Sequence, residues 1–189
     1  THCISSAASD VYKRQVYNNT EYVLINKKSG MVMDICGIEE GGDRLGKRII
    51  QYNNKRHIYQ KFVVKPHPTN TACKMIESVY QLEAYTNNPL HLGFIDAMGN
   101  TLTQMAQGDY AFKFIKNSDG SFRIRNEENG WYLGVQYAST DAYTSIIGES
   151  EYRNGDGSHP EQDWYIQRFD DPTGNRIESS MTYTENGAY

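Results

Sequence analysis

Two stretches of this chain follow one plan. EYVLINKKSGMVMDI, from Glu21 to Ile35, and FRIRNEENGWYLGV, from Phe122 to Val135, each hold an alternating strand, a polar turn with Gly, and a second short strand. A third copy, YQLEAYTNNPLHLGF, runs from Tyr80 to Phe94. Aligning the three predicts first strands at Tyr22/Leu24, Tyr80/Leu82 and Phe122/Ile124. The second strands end at Met33-Asp34, Leu92-Gly93 and Leu133-Gly134. Each copy then closes on an aromatic strand, Gln60-Lys61-Phe62, Tyr110-Ala111-Phe112 or Gln162-Asp163-Trp164, so the closing ring recurs about every fifty residues.

Triplication at that period narrows the choice of folds. A unit of about four strands has one apolar face and two unpaired edges, and is not stable alone. Three such units can share a central core and close the sheet on itself, which removes the edges. A solenoid would carry atypical end units, and these three copies lack them. The expected fold is therefore all-β, with pseudo-threefold symmetry and repeats at about 21–66, 74–116 and 121–169.

Composition agrees. The 189 residues include 15 Tyr and 16 Gly, a balance in which aromatics suit a pleated surface and glycines supply turns. Period-two alternation is plain at Tyr22–Ile25, Phe62–Val64, Phe112–Phe114, Phe122–Ile124 and Trp164–Ile166. A net charge of −4 with no basic stripe argues against binding a nucleic-acid backbone, which needs clustered Lys and Arg. Apolar runs are too short to span a bilayer as a helix. Cys36 and Cys73 either pair in one disulfide or stand as buried thiols; their spacing does not decide between the two.

Residues Ser5 to Gln15, SSAASDVYKRQ, resemble an in-frame translation of a transposon adapter used in sequencing libraries. Residues 1–15 are accordingly set apart from the domain, with the natural chain expected to begin at or near Val16. The domain is expected over 16–169. Residues 170–189 show no periodic face and are expected to form a tail or linker.

Repeats of the form Gln-x-Trp or Gln-x-Phe, each preceded by a Leu-Asp or Leu-Gly strand end, resemble the ricin B-type lectin domain. The resemblance runs from about Tyr22 to Arg168 and implies a β-trefoil that binds carbohydrate. In that family each repeat can carry a shallow sugar site, where an aromatic ring covers the apolar face of a pyranose and a carboxylate accepts from its hydroxyls. Carried over by position, Asp34 falls at the sugar-binding aspartate, Tyr52 at the stacking aromatic, and Gln60 at the glutamine that packs beneath the site. The family's asparagine before that glutamine is Tyr59 here, which removes an amide donor; Asn54 is the candidate replacement. Against these roles stand plainer ones: Asp34 as a turn aspartate, Tyr52 as a half-buried strand residue, Gln60 as a structural amide.

The other two repeats are expected to be disabled, because Gly93 and Gly134 replace the aspartate. The long loop of the third repeat offers Glu149, Glu151, Asn154 and Asp156 as oxygen donors for calcium, but their spacing is not that of an EF-hand, and a solvated loop is the simpler reading.

No G-x-S-x-G, phosphate loop or H-E-x-x-H is present, and His57, His67, His91 and His159 lack metal-ligand spacing. No catalytic residue or cofactor is expected in these residues. The resemblance implies a glycan or polysaccharide as partner, an extracellular setting, and attachment to a larger protein such as a glycoside hydrolase or toxin. The alternative is a trefoil that binds protein or spaces domains.

Overall fold

The computed structural model describes residues 20–37, 46–80, 90–94, 101–105, 110–151 and 158–171. Residues 1–15, Leu82, Asn154, Asp156 and all of the expected tail beyond Asp171 lie outside that set.

Among the described residues twelve strands follow one another: β1 Glu21–Asn26, β2 Val32–Ile35, β3 Ile49–Tyr52, β4 Phe62–Pro66, β5 Lys74–Ser78, β6 His91–Phe94, β7 Leu102–Met105, β8 Phe112–Lys116, β9 Phe122–Asn126, β10 Tyr132–Val135, β11 Ile146–Glu149 and β12 Asp163–Arg168. All pairings are antiparallel. β1, β4, β5, β8, β9 and β12 pair in that order, and β12 returns to β1, closing a barrel. The remaining strands form three hairpins, β2–β3, β6–β7 and β10–β11, each hung from its own barrel strand. Bridges Arg48↔Thr103, Ile50↔Ser145 and Thr101↔Ile147 tie the hairpins to one another across the open end. This is the β-trefoil, with three equivalent lobes about one axis.

The register makes the equivalence concrete. Asn26 faces Trp164, Ser78 faces Phe62, and Asn126 faces Phe112. One step inward, Leu24, Ile76 and Ile124 face Ile166, Val64 and Phe114. The closing aromatics Phe62, Phe112 and Trp164 are fully buried, and they meet Tyr22, Phe122 and Leu102 in a single core. Trp164 also donates its indole N–H to the Leu133 carbonyl at 2.8 Å, which answers the polar cost of burying that ring.

The two most similar stretches fold the same way for the same reason. In β1–β2 the Asn26 side chain accepts from the N–H groups of Lys28 and Ser29, and Gly30 closes the turn at φ 71°. In β9–β10 Asn126 accepts from Glu128 and Asn129, and Gly130 sits at φ 75°. An asparagine that bonds the backbone two and three residues on, followed by a glycine in the left-handed region, fixes each hairpin.

The middle lobe differs from the sequence expectation. Its first strand is Lys74–Ser78, ahead of Tyr80, so Ile76 rather than Leu82 holds the place of Leu24 and Ile124. Alternation hid it, because Glu77 and Ser78 are buried polar residues. Glu77 is held by Lys65 at 2.5 Å and His91 at 3.3 Å. Burial raises its pKa, but those two partners outweigh burial and leave the carboxyl below its usual range.

Cys36 and Cys73 are both free thiols, Cys73 buried. Among the described residues no helix is long and apolar enough to cross a membrane.

Candidate functional site

The pleat of the first hairpin brings two candidates together. Asp34 pairs with Ile50, and Tyr52 pairs with Val32, so both side chains lie on one face, diagonally across the strands. Asp34 is a mid-strand residue with 9% of its surface exposed. Its main side-chain partner is far away in sequence. The Gln60 amide, fully buried, donates to Asp34 Oδ2 at 2.7 Å and to the Asn53 carbonyl at 2.8 Å, while its Oε1 accepts from the Lys55 N–H at 2.9 Å. Gln60 therefore braces both the carboxylate and the loop that follows Tyr52.

Burial pushes the Asp34 carboxyl above its ordinary pKa, and the bonds from Gln60 and the Ile35 N–H, with the charge of His57, only partly offset this. The result is a desolvated acceptor with a small exposed edge.

Asn54 lies in the loop that follows Tyr52. It is exposed, and its Oδ1 accepts from the Arg56 N–H at 3.1 Å in a local turn, with Arg56 at φ 53°. That bond engages the side-chain oxygen of Asn54, not the amide donor expected of it. Tyr59, at the family's asparagine position, packs against the core and edge-on to Tyr80 with centroids 4.6 Å apart.

A residue that the sequence did not single out lies beside Tyr52. Tyr143 comes from the loop between β10 and β11, in the third lobe, and lies with its ring centroid 4.8 Å from that of Tyr52. Its hydroxyl donates to the Tyr52 hydroxyl at 3.3 Å. No local motif marks Tyr143; only the closure of the lobes around an axis brings it to the first one.

The corresponding places in the other lobes are filled. A Cβ on Gly93 would lie 2.3 to 2.6 Å from three ring atoms of Tyr110. Tyr110 stands where Gln60 stands in the first lobe, and its hydroxyl donates to the Phe94 carbonyl at 3.1 Å. A Cβ on Gly134 would lie 2.2 Å from Glu149 Oε1 and 3.1 Å from Gln162 Cγ. The third repeat, where Gly134 replaces the aspartate, nevertheless has a carboxylate there: β11 supplies it from the register position of Tyr52, since Tyr132 pairs with Glu149 as Val32 pairs with Tyr52. Gln162 donates to the Ser150 carbonyl at 2.9 Å, as Gln60 does to Asn53. Burial raises the Glu149 pKa, aided by the Glu161 charge and opposed by a bond from Gln162.

Glu149 is therefore turned inward, and Glu151 pairs with Arg123. Among the described residues no group of three or more His, Cys, Asp or Glu is placed to hold a metal ion.

No protein-family model matches this chain, and no curated protein matches it in sequence. Solved structures do match it in fold. The designed threefold-symmetric protein ThreeFoil superposes with a TM-score of 0.61 at 17% identity, over 77% of this chain and 96% of its own. A ricin B-like lectin of Macrolepiota procera, solved in complex with lactose, gives 0.60 at 19% identity, over 82% of this chain and 99% of its own. The exo-β-1,3-galactanase 1,3Gal43A of Clostridium thermocellum gives 0.62 at 20% identity; the match covers 80% of this chain but only 30% of the galactanase.

Proposed function

We propose that this chain is a carbohydrate-binding module whose working site lies in the first lobe. Asp34 accepts from the hydroxyls of a sugar, Tyr52 covers the apolar face of its ring, and Gln60 holds the carboxylate in place without touching the ligand. The observation that carries this reading is the Gln60–Asp34 bond beside Tyr52 on one hairpin face, in the lobe where that space is not filled by Tyr110 or Glu149. A lactose-bound lectin of the same fold supports it.

The likeness to part of a galactanase supports a second element of the proposal. Such a module acts by proximity, holding an attached catalytic domain near an extracellular polysaccharide. No step of bond-breaking chemistry is assigned to these residues.

One site of this kind gives weak affinity, about millimolar, or about −4 kcal/mol. The test is a glycan array together with affinity electrophoresis through polysaccharide gels, run on the wild type, Asp34→Ala and Tyr52→Ala. Each substitution is expected to lower affinity about tenfold or more, near 1.4 kcal/mol. Binding that survives both removes the first-lobe site. No binding by the wild type favours a trefoil that contacts protein or spaces domains.

A further inference from the structure

Within the first-lobe reading, we infer that the site is composite: Tyr143 of the third lobe extends the Tyr52 surface into a two-ring platform that selects an oligosaccharide over a single sugar. The inference rests on the reading above and names the ligand class of that same site.

Three observations carry it. First, Tyr143 and Tyr137 are the exposed large hydrophobics among the described residues, Tyr143 at 61%. Both lie in the loop between β10 and β11, whose ends are tied by the Gln136 N–H on the Ser145 carbonyl at 3.0 Å. A tyrosine whose ring stays in solvent is not there to fill a core.

Second, the backbone under Tyr143 is strained. Its φ is 66°, in the left-handed region, and Tyr137 and Ala138 of the same loop lie at 58° and 50°. A bulky side chain rarely adopts that conformation, and such strain gathers at ligand clamps.

Third, the strain is held by a dedicated clamp. Gln51 of β3 is fully buried, and it accepts at its carbonyl from the Tyr143 N–H at 2.9 Å while donating its own N–H to the Thr144 carbonyl at 2.8 Å. Its side-chain amide donates to the carbonyls of Ser139 at 3.1 Å and Asp141 at 2.7 Å, and its Oε1 accepts from the Ser29 hydroxyl at 2.7 Å. One residue of the first lobe therefore fixes the third-lobe loop at both backbone and side chain. The consequence is that Tyr143 stands beside Tyr52 in a set pose.

The geometry fits more than one sugar ring. The planes of Tyr52 and Tyr143 are inclined at 52° with centroids 4.8 Å apart, within the range of packed aromatic pairs, so the two rings form one bent aromatic surface. Successive rings of a glycan are themselves tilted about the glycosidic bond, so each can meet a differently angled aromatic face. The Tyr143 phenol has its pKa raised, chiefly by its bond to Tyr52. A sugar bound to Asp34 and Tyr52 has Tyr143 at its side, because the two rings and their hydroxyls are in contact.

The test compares matched pairs, galactose with lactose, N-acetylglucosamine with chitotriose and xylose with xylotriose, by ligand-observed NMR titration of the full chain. Tyr143→Gly removes the ring while relieving the left-handed backbone, so it is expected to keep or raise thermal stability. Tyr143→Phe keeps the ring. In the wild type and Tyr143→Phe, the longer member of at least one pair binds about fivefold to tenfold tighter than its monosaccharide. In Tyr143→Gly that advantage vanishes while monosaccharide affinity holds. If Tyr143→Gly leaves the advantage intact, or weakens both members equally, the platform is overturned. The first-lobe reading still stands in that case, provided Asp34→Ala abolishes monosaccharide binding. A wild type that binds none of the six overturns both.

Discussion

At the residue scale, Asp34 is the group on which the proposed recognition turns, and its environment dictates how that recognition should vary with acidity. Burial raises its pKa in the folded protein. With a raised folded value, the protonated form is the one favoured by folding, so that contribution to stability is complete below the ordinary aspartate value. It is lost as pH rises through the raised one. Sugar hydroxyls, by contrast, bond most strongly to the ionised form. Affinity is therefore expected to fall on acidification with a midpoint above the value of a free aspartate, and the profile should flatten in Asp34→Asn. Titrating affinity against pH for both proteins checks this. A midpoint at or below the free value, or the same profile in both, rules the assignment out. The alternative role for Asp34, an aspartate serving its own backbone, accounts for its bond from the Ile35 N–H, but Asp34 lies mid-strand and its carboxylate is also gripped by Gln60.

At the scale of elements, the three hairpins use one backbone plan with different occupants in the same space. Tyr110 fills the second lobe against Gly93. Adding a methyl there should overpack the contact and cost about 1–3 kcal/mol, because the ring atoms that it would strike lie 2.3 to 2.6 Å away. Gly93→Ala and Tyr110→Gln, alone and combined, give a double-mutant cycle by urea unfolding. The combination is expected to be less destabilised than the two singles together. Effects that add to within about 0.5 kcal/mol would show that the ring is not what occupies the space.

Much of this level was legible in the sequence. The Asn-to-Gly turns after Asn26 and Asn126 and the alternating strands around Leu24 and Ile124 carry their own local signals. β5 was not legible, because its buried Glu77 and Ser78 break the alternation, and a buried acid is made tolerable only by Lys65 and His91 from other strands. Glu149 was read as a loop oxygen donor, and its place over Gly134 was missed for a related reason. Comparing Gly134 with Asp34 asks which side chain grows from β10, whereas the space over a glycine can be filled from β11. Tyr143 was beyond reach of any local reading, since only ring closure sets it beside Tyr52. Asn54, plausible by proximity in sequence, turned out to bond Arg56.

At the scale of the molecule, the lobes are not independent beads. Each barrel contact between lobes, β12 with β1, β4 with β5 and β8 with β9, is also a long register of paired residues. The closing aromatics of all three lobes meet in one core. The candidate site shares this dependence, as Gln51 of the first lobe and Tyr143 of the third hold each other. A protein built this way is expected to unfold as a unit, and loosening the third lobe should disturb recognition in the first.

The pairing of β1 with β12 has one more consequence. Tyr22 lies opposite Arg168, and the Phe169 N–H donates to the Glu21 carbonyl at 2.9 Å, so the first and last strands of the barrel meet at the same spot. A circle has no first member. Linking Thr20 to Asp171 through a short flexible bridge and cutting instead at Thr71, in the exposed stretch between β4 and β5, should give a circular permutant with the same barrel and a single cooperative thermal transition. The order in which the lobes are synthesised would then be a matter of where the circle is opened, and not of how it holds together.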